Sequence, residues 1–283
     1  MNEPLLPELN LALEALEDML QWNNTLARLR LENSVVSGIA VEYIAAGLVR
    51  NQGLKPLDIM WKISFPAKGC IGMLAAVNLF KVLQINNSLE ELRFSYTADL
   101  EIGCSEILRD SFEKMAQNTV LHDLRLKPVM FSKSNSGWLL AAKGIASGLR
   151  RNSSLTHLSV ENDISAWIPP CFLGETLTQL LKAVSNHHSL TSLSVWTGNL
   201  RNEHIRGILG VLSSSNTLLS LTIQTNTDTS NVLPSFHKLA AVAIDCSIPQ
   251  HEKGIITCNG RKICFEFELC HHVILYKILS FQM

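Results

Sequence analysis

The 283-residue sequence predicts an α/β fold: a curved solenoid, a horseshoe with a parallel sheet on its concave side and helices on its convex side. Three observations predict it. One short pattern, Leu-x-x-Leu-x-Leu with conservative replacements, recurs along most of the chain. The end of each copy alternates apolar, polar, apolar, which is strand period. The stretch ahead of each copy carries apolar residues at helical period.

The chain opens on Pro4-Leu5-Leu6-Pro7 and an amphipathic run whose apolar face is Leu9, Leu13, Leu16 and Leu20, the helix of a preceding unit or a cap made from one. Copies of the pattern begin at Leu26, Leu54, Leu89, Leu121, Leu155, Leu190, Leu218 and, more weakly, Leu239, at spacings of 28, 35, 32, 34, 35, 28 and 21. Ahead of them stand helical sets such as Ile145, Ala146 and Leu149, or Leu173, Leu177, Leu180, Leu181 and Val184, or Ile205, Ile208, Leu209 and Leu212. Small polar turns join helix to strand: Asn23-Asn24-Thr25, Asn86-Asn87-Ser88, Arg151-Asn152-Ser153-Ser154 and Ser214-Ser215-Asn216-Thr217. Three of them fit the glycosylation sequon, but in a chain read as intracellular they are turns. His187-His188 falls in such a turn and reads as solvated. A strand, loop, helix and turn cannot bury their apolar faces alone, so the units must stack into one continuous core.

Several units carry extra residues, placed between strand and helix at 95–103, 128–137 and 161–170. After Ile244 the repeat breaks. Residues 254–269 alternate as a hairpin about Asn259-Gly260, with Ile255-Ile256-Thr257-Cys258 against Lys262-Ile263-Cys264-Phe265. Residues 269–281 form an apolar tail. The sequence thus divides into a solenoid of about eight units over 1–246 and a terminal segment over 247–283. That segment is either a cap on the last open strand or a membrane-surface or partner helix; the liability of an uncovered sheet edge favours the cap.

The pattern, best seen in Leu193-Ser194-Val195-Trp196-Thr197-Gly198-Asn199-Leu200 and the helix at 205–212, resembles the leucine-rich repeat of the ribonuclease-inhibitor subtype. Its eight copies look like the repeat region of NOD-like innate immune receptors. The resemblance implies a ligand-sensing or regulatory module, here without the nucleotide-binding module of such receptors. The chain is then expected to be a fragment, a truncated isoform or a stand-alone regulator, and its opening inside a helix favours a fragment. A GTPase-activating or ribonuclease-inhibiting protein is the alternative. An inhibitor of a basic ribonuclease would be strongly acidic, and a GTPase activator of this type would carry a long acidic tail, whereas this chain ends apolar.

If positions 1, 4 and 6 of each copy point inward, positions 3, 5 and 7 line the concave wall. Partner-binding candidates there are Arg28, Arg30, Asp58, Glu91, Arg93, Asp123, Arg125, His157, Ser192, Trp196 and Thr222. Arg and Trp are the types most enriched at binding hot spots. The first half of the wall is charged with both signs; the second is mostly Ser and Thr.

Other chemistry finds little support. Lys+Arg 24 against Asp+Glu 25 gives a net charge of −1, which excludes a strong global field for nucleic acid or anionic membrane and leaves protein as the expected partner. Seven Cys without a CxxC pair suit reduced thiols and a cytoplasmic home. No signal peptide or 18-residue apolar run is present. Gly-x-x-x-x-Gly-Lys-Ser/Thr, Gly-x-Gly-x-x-Gly and Gly-x-Ser-x-Gly are all missing, so no cofactor or enzyme activity is expected. Cys258, Cys264 and Cys270 with His271 and His272 lack the close ligand pairs of a zinc site, and no metal is expected.

Overall fold

The structure is a computed structural model. It describes residues 7–32, 38–60, 71–97, 102–129, 136–160, 175–197, 217–225, 253–258, 261–270 and 273–281, with His204, Gly207, Ile208, Gly210, Val211, Ser214 and Ser215 between them. Helix α1 (Pro7–Trp22) precedes strand β1 (Leu29–Glu32). Then follow α2 (Gly38–Leu48), β2 (Pro56–Met60), α3 (Ile71–Leu83) and β3 (Glu91–Thr97). Next come α4 (Ile102–Met115), β4 (Asp123–Val129), α5 (Ser136–Leu149) and β5 (His157–Val160). The series continues with α6 (Glu175–Ser185), β6 (Ser192–Thr197) and β7 (Ser220–Thr225). His204, Gly207, Ile208, Gly210, Val211 and Ser214 are helical too, where a helix is expected ahead of β7.

Strands β1 to β7 lie in chain order and pair in parallel, each on its predecessor. The fold is therefore an open α/β solenoid of leucine-rich-repeat type. Its curvature follows from two packing distances. Neighbouring strands sit about 4.8 Å apart, whereas packed helices need about 8–10 Å. Each of helices α1 to α5 packs on the next, so the helical side is the longer arc and the sheet faces inward.

The pairing is in phase with the repeat. Leu57 meets Leu92, Leu92 meets Leu124, Leu124 meets Leu158, and Leu158 meets Leu193. Positions 1, 4 and 6 from Leu54 to Val195 are all buried, as are Leu218 and Leu221. Each such side chain removed from water contributes roughly 1.5–3 kcal/mol before entropic costs. Leu26, Leu29 and Leu31 are only partly buried, because among the described residues β1 has a neighbouring strand on one side alone. The helices close the core from the other side. Val41, Ile44, Ala45 and Leu48 on α2, and Leu177, Leu180, Leu181 and Val184 on α6, are buried at i, i+3, i+4, i+7. An aromatic cluster sits in the middle: Phe80 of α3 meets Phe94 of β3 edge-on at 6.3 Å and Phe112 of α4 at 4.7 Å between centroids. Two glycines let α5 lie against α4. A Cβ at Gly144 would stand 2.6 Å from the Cα of Arg109, and one at Gly148 would run into the Phe112 carbonyl oxygen.

Two of the extra stretches are partly strand. β3 and β4 remain paired out to Thr97 and Val129, so residues 95–97 and 128–129 lengthen the sheet rather than the loops. The stretch at 161–170, the weaker copy at Leu239 and the division near residue 246 lie outside the described residues.

Beyond the seventh strand the direction changes. β8 (Lys253–Cys258), β9 (Arg261–Cys270) and β10 (Val273–Phe281) form an antiparallel set. β8 and β9 pair as a hairpin, with Ile255 opposite Cys264 and Ile256 opposite Ile263. β10 runs against β7, with Lys277 opposite Thr222, so the tail is a strand and not a membrane-surface or partner helix. Register pairs Cys258 with Arg261 and Cys270 with Val273; the side chains of the cysteine and histidine set lie outside the described residues.

Candidate functional site: the outward face of the parallel sheet

The helix-to-strand turns hold the strands in phase, and they do so by one device. Asn51 accepts from the main-chain N–H groups of Gly53 and Leu54 at Oδ1, while its Nδ2 donates to the carbonyls of Leu20 and Asn23, one unit back. Asn86 repeats this with Ser88, Leu89, Leu48 and Asn51. Asn118 does so with Val120, Leu121, Leu83 and Asn86. Asn152 accepts from Ser154 and Leu155 and donates to Asn118. Asn23, at the front, makes the local half of the set with Thr25 and Leu26. All these asparagines stand three residues before a repeat leucine. The turns are thus more than polar punctuation: they form a buried ladder linking unit to unit, and the constant offset of the asparagine is the signal in the sequence that marks it.

His187 takes the asparagine's place in the next unit. Its Nδ1 accepts from Leu190 N–H at 3.0 Å and from Ser189 N–H at 3.3 Å. Nε2 therefore carries the proton and faces the Asn152 carbonyl, without closing a well-formed hydrogen bond. Burial, and then the neighbouring His188, hold the His187 pKa below the usual 6.5. The expectation of a solvated pair is corrected: His188 is exposed, but His187 is 5% exposed because its ring is the cap. Ser215 ends the series, accepting from Leu218 N–H at 3.1 Å.

With phase fixed, the outward side chains fall into rows. Position 5 forms a row across seven strands: Arg30, Asp58, Arg93, Arg125, Ser159, Ser194 and Thr222 are successive register partners. Position 3 forms a second row: Pro56, Glu91, Asp123, His157, Ser192 and Ser220. Neighbours in a row stand about 4.8 Å apart, close enough for one ligand group to touch two of them.

The predicted wall residues do not all meet solvent. Asp58 and Asp123 are buried. Arg30 Nε reaches Asp58 Oδ2 at 3.4 Å, and Arg125 holds both oxygens of Asp123, the closest contact being 2.9 Å. Arg125 and Asp123 are two apart on one strand and so share a face. These carboxylates orient arginines. Ser159 and Ser95 are buried as well. Arg28, Arg30 and His157 are exposed, and Glu91, Arg93, Arg125, Ser192 and Thr222 are half-buried. Arg93 has no ion-pair partner among the described residues, although Arg125 is its register neighbour. Trp196 lies in β6 opposite Gln224, and its side chain is outside the described residues. At the rim, Lys55 pairs with Glu90 at 2.8 Å, and that hydrogen bond holds the Glu90 carboxyl below its ordinary value. The pair is well exposed, so it adds little to stability.

Among the described residues no cluster of His, Cys, Asp and Glu could hold a metal ion, and no helix is long and apolar enough to cross a membrane. No family model matches the chain, and no curated protein matches it. Among solved structures, actin-binding site 2 of leiomodin-1 is similar, at 14% identity over 75% of this chain and 90% of that one, with a TM-score of 0.37.

Proposed function

We propose that the chain is a non-catalytic protein-binding module, and that the outward face of its parallel sheet meets the partner. The observation that carries this reading is the continuous row from Arg30 to Thr222. Seven strands in strict phase display outward side chains on a wide, fixed, concave surface, which suits a macromolecule better than a small substrate. Arg30 and Arg125 are pre-oriented by buried carboxylates, which lowers the entropy lost on contact. Arg93 offers an uncommitted guanidinium between them. The likeness of the repeat to the ribonuclease-inhibitor subtype supports the finer reading: a ligand-sensing or regulatory module of a cytoplasmic receptor of the innate immune type.

Affinity capture with the full chain, chemically cross-linked in cell lysate, tests it. Arg93→Glu with Thr222→Arg alters the row at two distant points. Proteins recovered with wild type should be lost with this variant and retained with Lys114→Glu on the exposed side of α4. The same recovered set for all three would remove the sheet face from the reading.

A further inference from the structure

We infer that the outer face of α1 is a second docking surface, built for a basic amphipathic helix of a partner protein. It is separate from the sheet face. At about 100° per residue, Leu11, Ala15, Met19 and Trp22 share one side of the helix, opposite Leu13 and Leu20. Leu13 and Leu20 are buried against the solenoid, while Leu11 is 66%, Met19 39% and Trp22 69% exposed. Ala15 is exposed between them. A helix that is apolar on two opposite sides is the pattern of one covered on both, and among the described residues α2 and the core cover one side. The same end of the stack leaves Leu26, Leu29 and Leu31 partly buried.

Charge selects the occupant. Helix α1 contains Glu8, Glu14, Glu17 and Asp18 and no Lys or Arg. Glu14 and Asp18 are exposed and border the apolar stripe. A second copy would bring two such acidic borders together, and their repulsion opposes self-pairing. A helix with an apolar stripe between Lys or Arg residues matches both features, in the manner of helix-in-groove recognition.

The test is fluorescence anisotropy with the full chain and a labelled synthetic Leu/Lys amphipathic helix of about five turns, beside a matched Leu/Glu helix. Three results together support the inference: the Leu/Lys helix binds, the Leu/Glu helix does not, and binding weakens about tenfold or more in both Leu11→Asp/Trp22→Asp and Glu14→Lys/Asp18→Lys. Equal binding of the two helices, no binding of either, or affinity unmoved by the substitutions would overturn it. So would sedimentation showing a wild-type dimer that Leu11→Asp/Trp22→Asp dissolves, since the stripe would then be a self-interface. The substituted positions are exposed, and Trp22→Ser alone, at the last residue of α1, repeats the measurement if the charge insertions unfold the helix. Loss of partners through Arg93 and Thr222 is independent of these outcomes, so either surface can fail without the other.

Discussion

The side-chain amide of Asn86 donates to the main-chain carbonyl of Asn51 at 3.0 Å, bridging 35 residues of sequence, while its oxygen accepts from two N–H groups of its own turn. One buried side chain therefore shapes a local turn and anchors it to the unit before. Asn86→Ala removes these bonds and leaves buried groups without partners. A buried group stripped of its partner costs about 1–3 kcal/mol, so a loss of about 3 kcal/mol is expected in urea denaturation. Asn118→Ala should behave alike, having the four equivalent partners, two in its own turn and two in the unit before.

His187 brings a titration into that series. In the unfolded chain its ring protonates near the ordinary histidine value; in the fold, burial and His188 keep it neutral to lower pH. The unfolded state thus binds more protons between the two values, and stability falls as pH drops from about 6.5 through the folded pKa. Protonated Nδ1 would also confront the two N–H groups it now receives. His187→Asn keeps the acceptor and removes the titration. The stability difference between variant and wild type, from denaturation at a series of pH values, should widen in the variant's favour below about pH 6.5. A difference that stays constant with pH would show that the ring does not titrate through the cap.

Two glycine substitutions should have opposite outcomes. Gly148→Ala drives a methyl group into the Phe112 carbonyl and must push α5 off α4, at a cost of about 1–3 kcal/mol or more. A Cβ at Gly210 meets nothing within 4 Å, so Gly210→Ala gains helix propensity, up to about 1 kcal/mol. Thermal melts of the two variants check both signs.

Phe112 is fully buried and packed at a tilt against Phe80. Phe112→Ala should cost about 3–5 kcal/mol, a typical value for emptying an aromatic site in a core. Arg30→Ala, by contrast, leaves the arginine's exposed site without strain but takes a partner from the buried Asp58 carboxylate, and should cost about 1–3 kcal/mol. Denaturant midpoints for the two variants measure the contrast between core and wall.

The repeat made most of the fold legible. Two periodicities, 2 in the strands and 3.6 in the helices, are enough by themselves to place the buried side of each unit, and the leucines from Leu54 to Leu221 occupy those places. The pairing of the 255–258 strand with the 262–265 strand followed from the alternation around Asn259-Gly260. What was not legible depended on neighbours distant in sequence. The burial of Asp58 and Asp123 follows from side chains packed around them, which period alone cannot count. His187 looks like a surface residue until its turn is superposed on those of Asn118 and Asn152. The aromatic cluster of Phe80, Phe94 and Phe112 likewise joins three elements that no short pattern connects.

The asparagine ladder points one way. From Asn51 to Asn152 each rung is a donor reaching back to acceptors on the unit before it. Peeling a unit from the rear leaves bare carbonyls, which water or a spare lone pair readily satisfies; peeling one from the front strands N–H groups, the orphans proteins tolerate least. The side-chain ladder by itself thus makes the trailing edge the cheaper one to open, and it is that edge, β7, on which β10 lies.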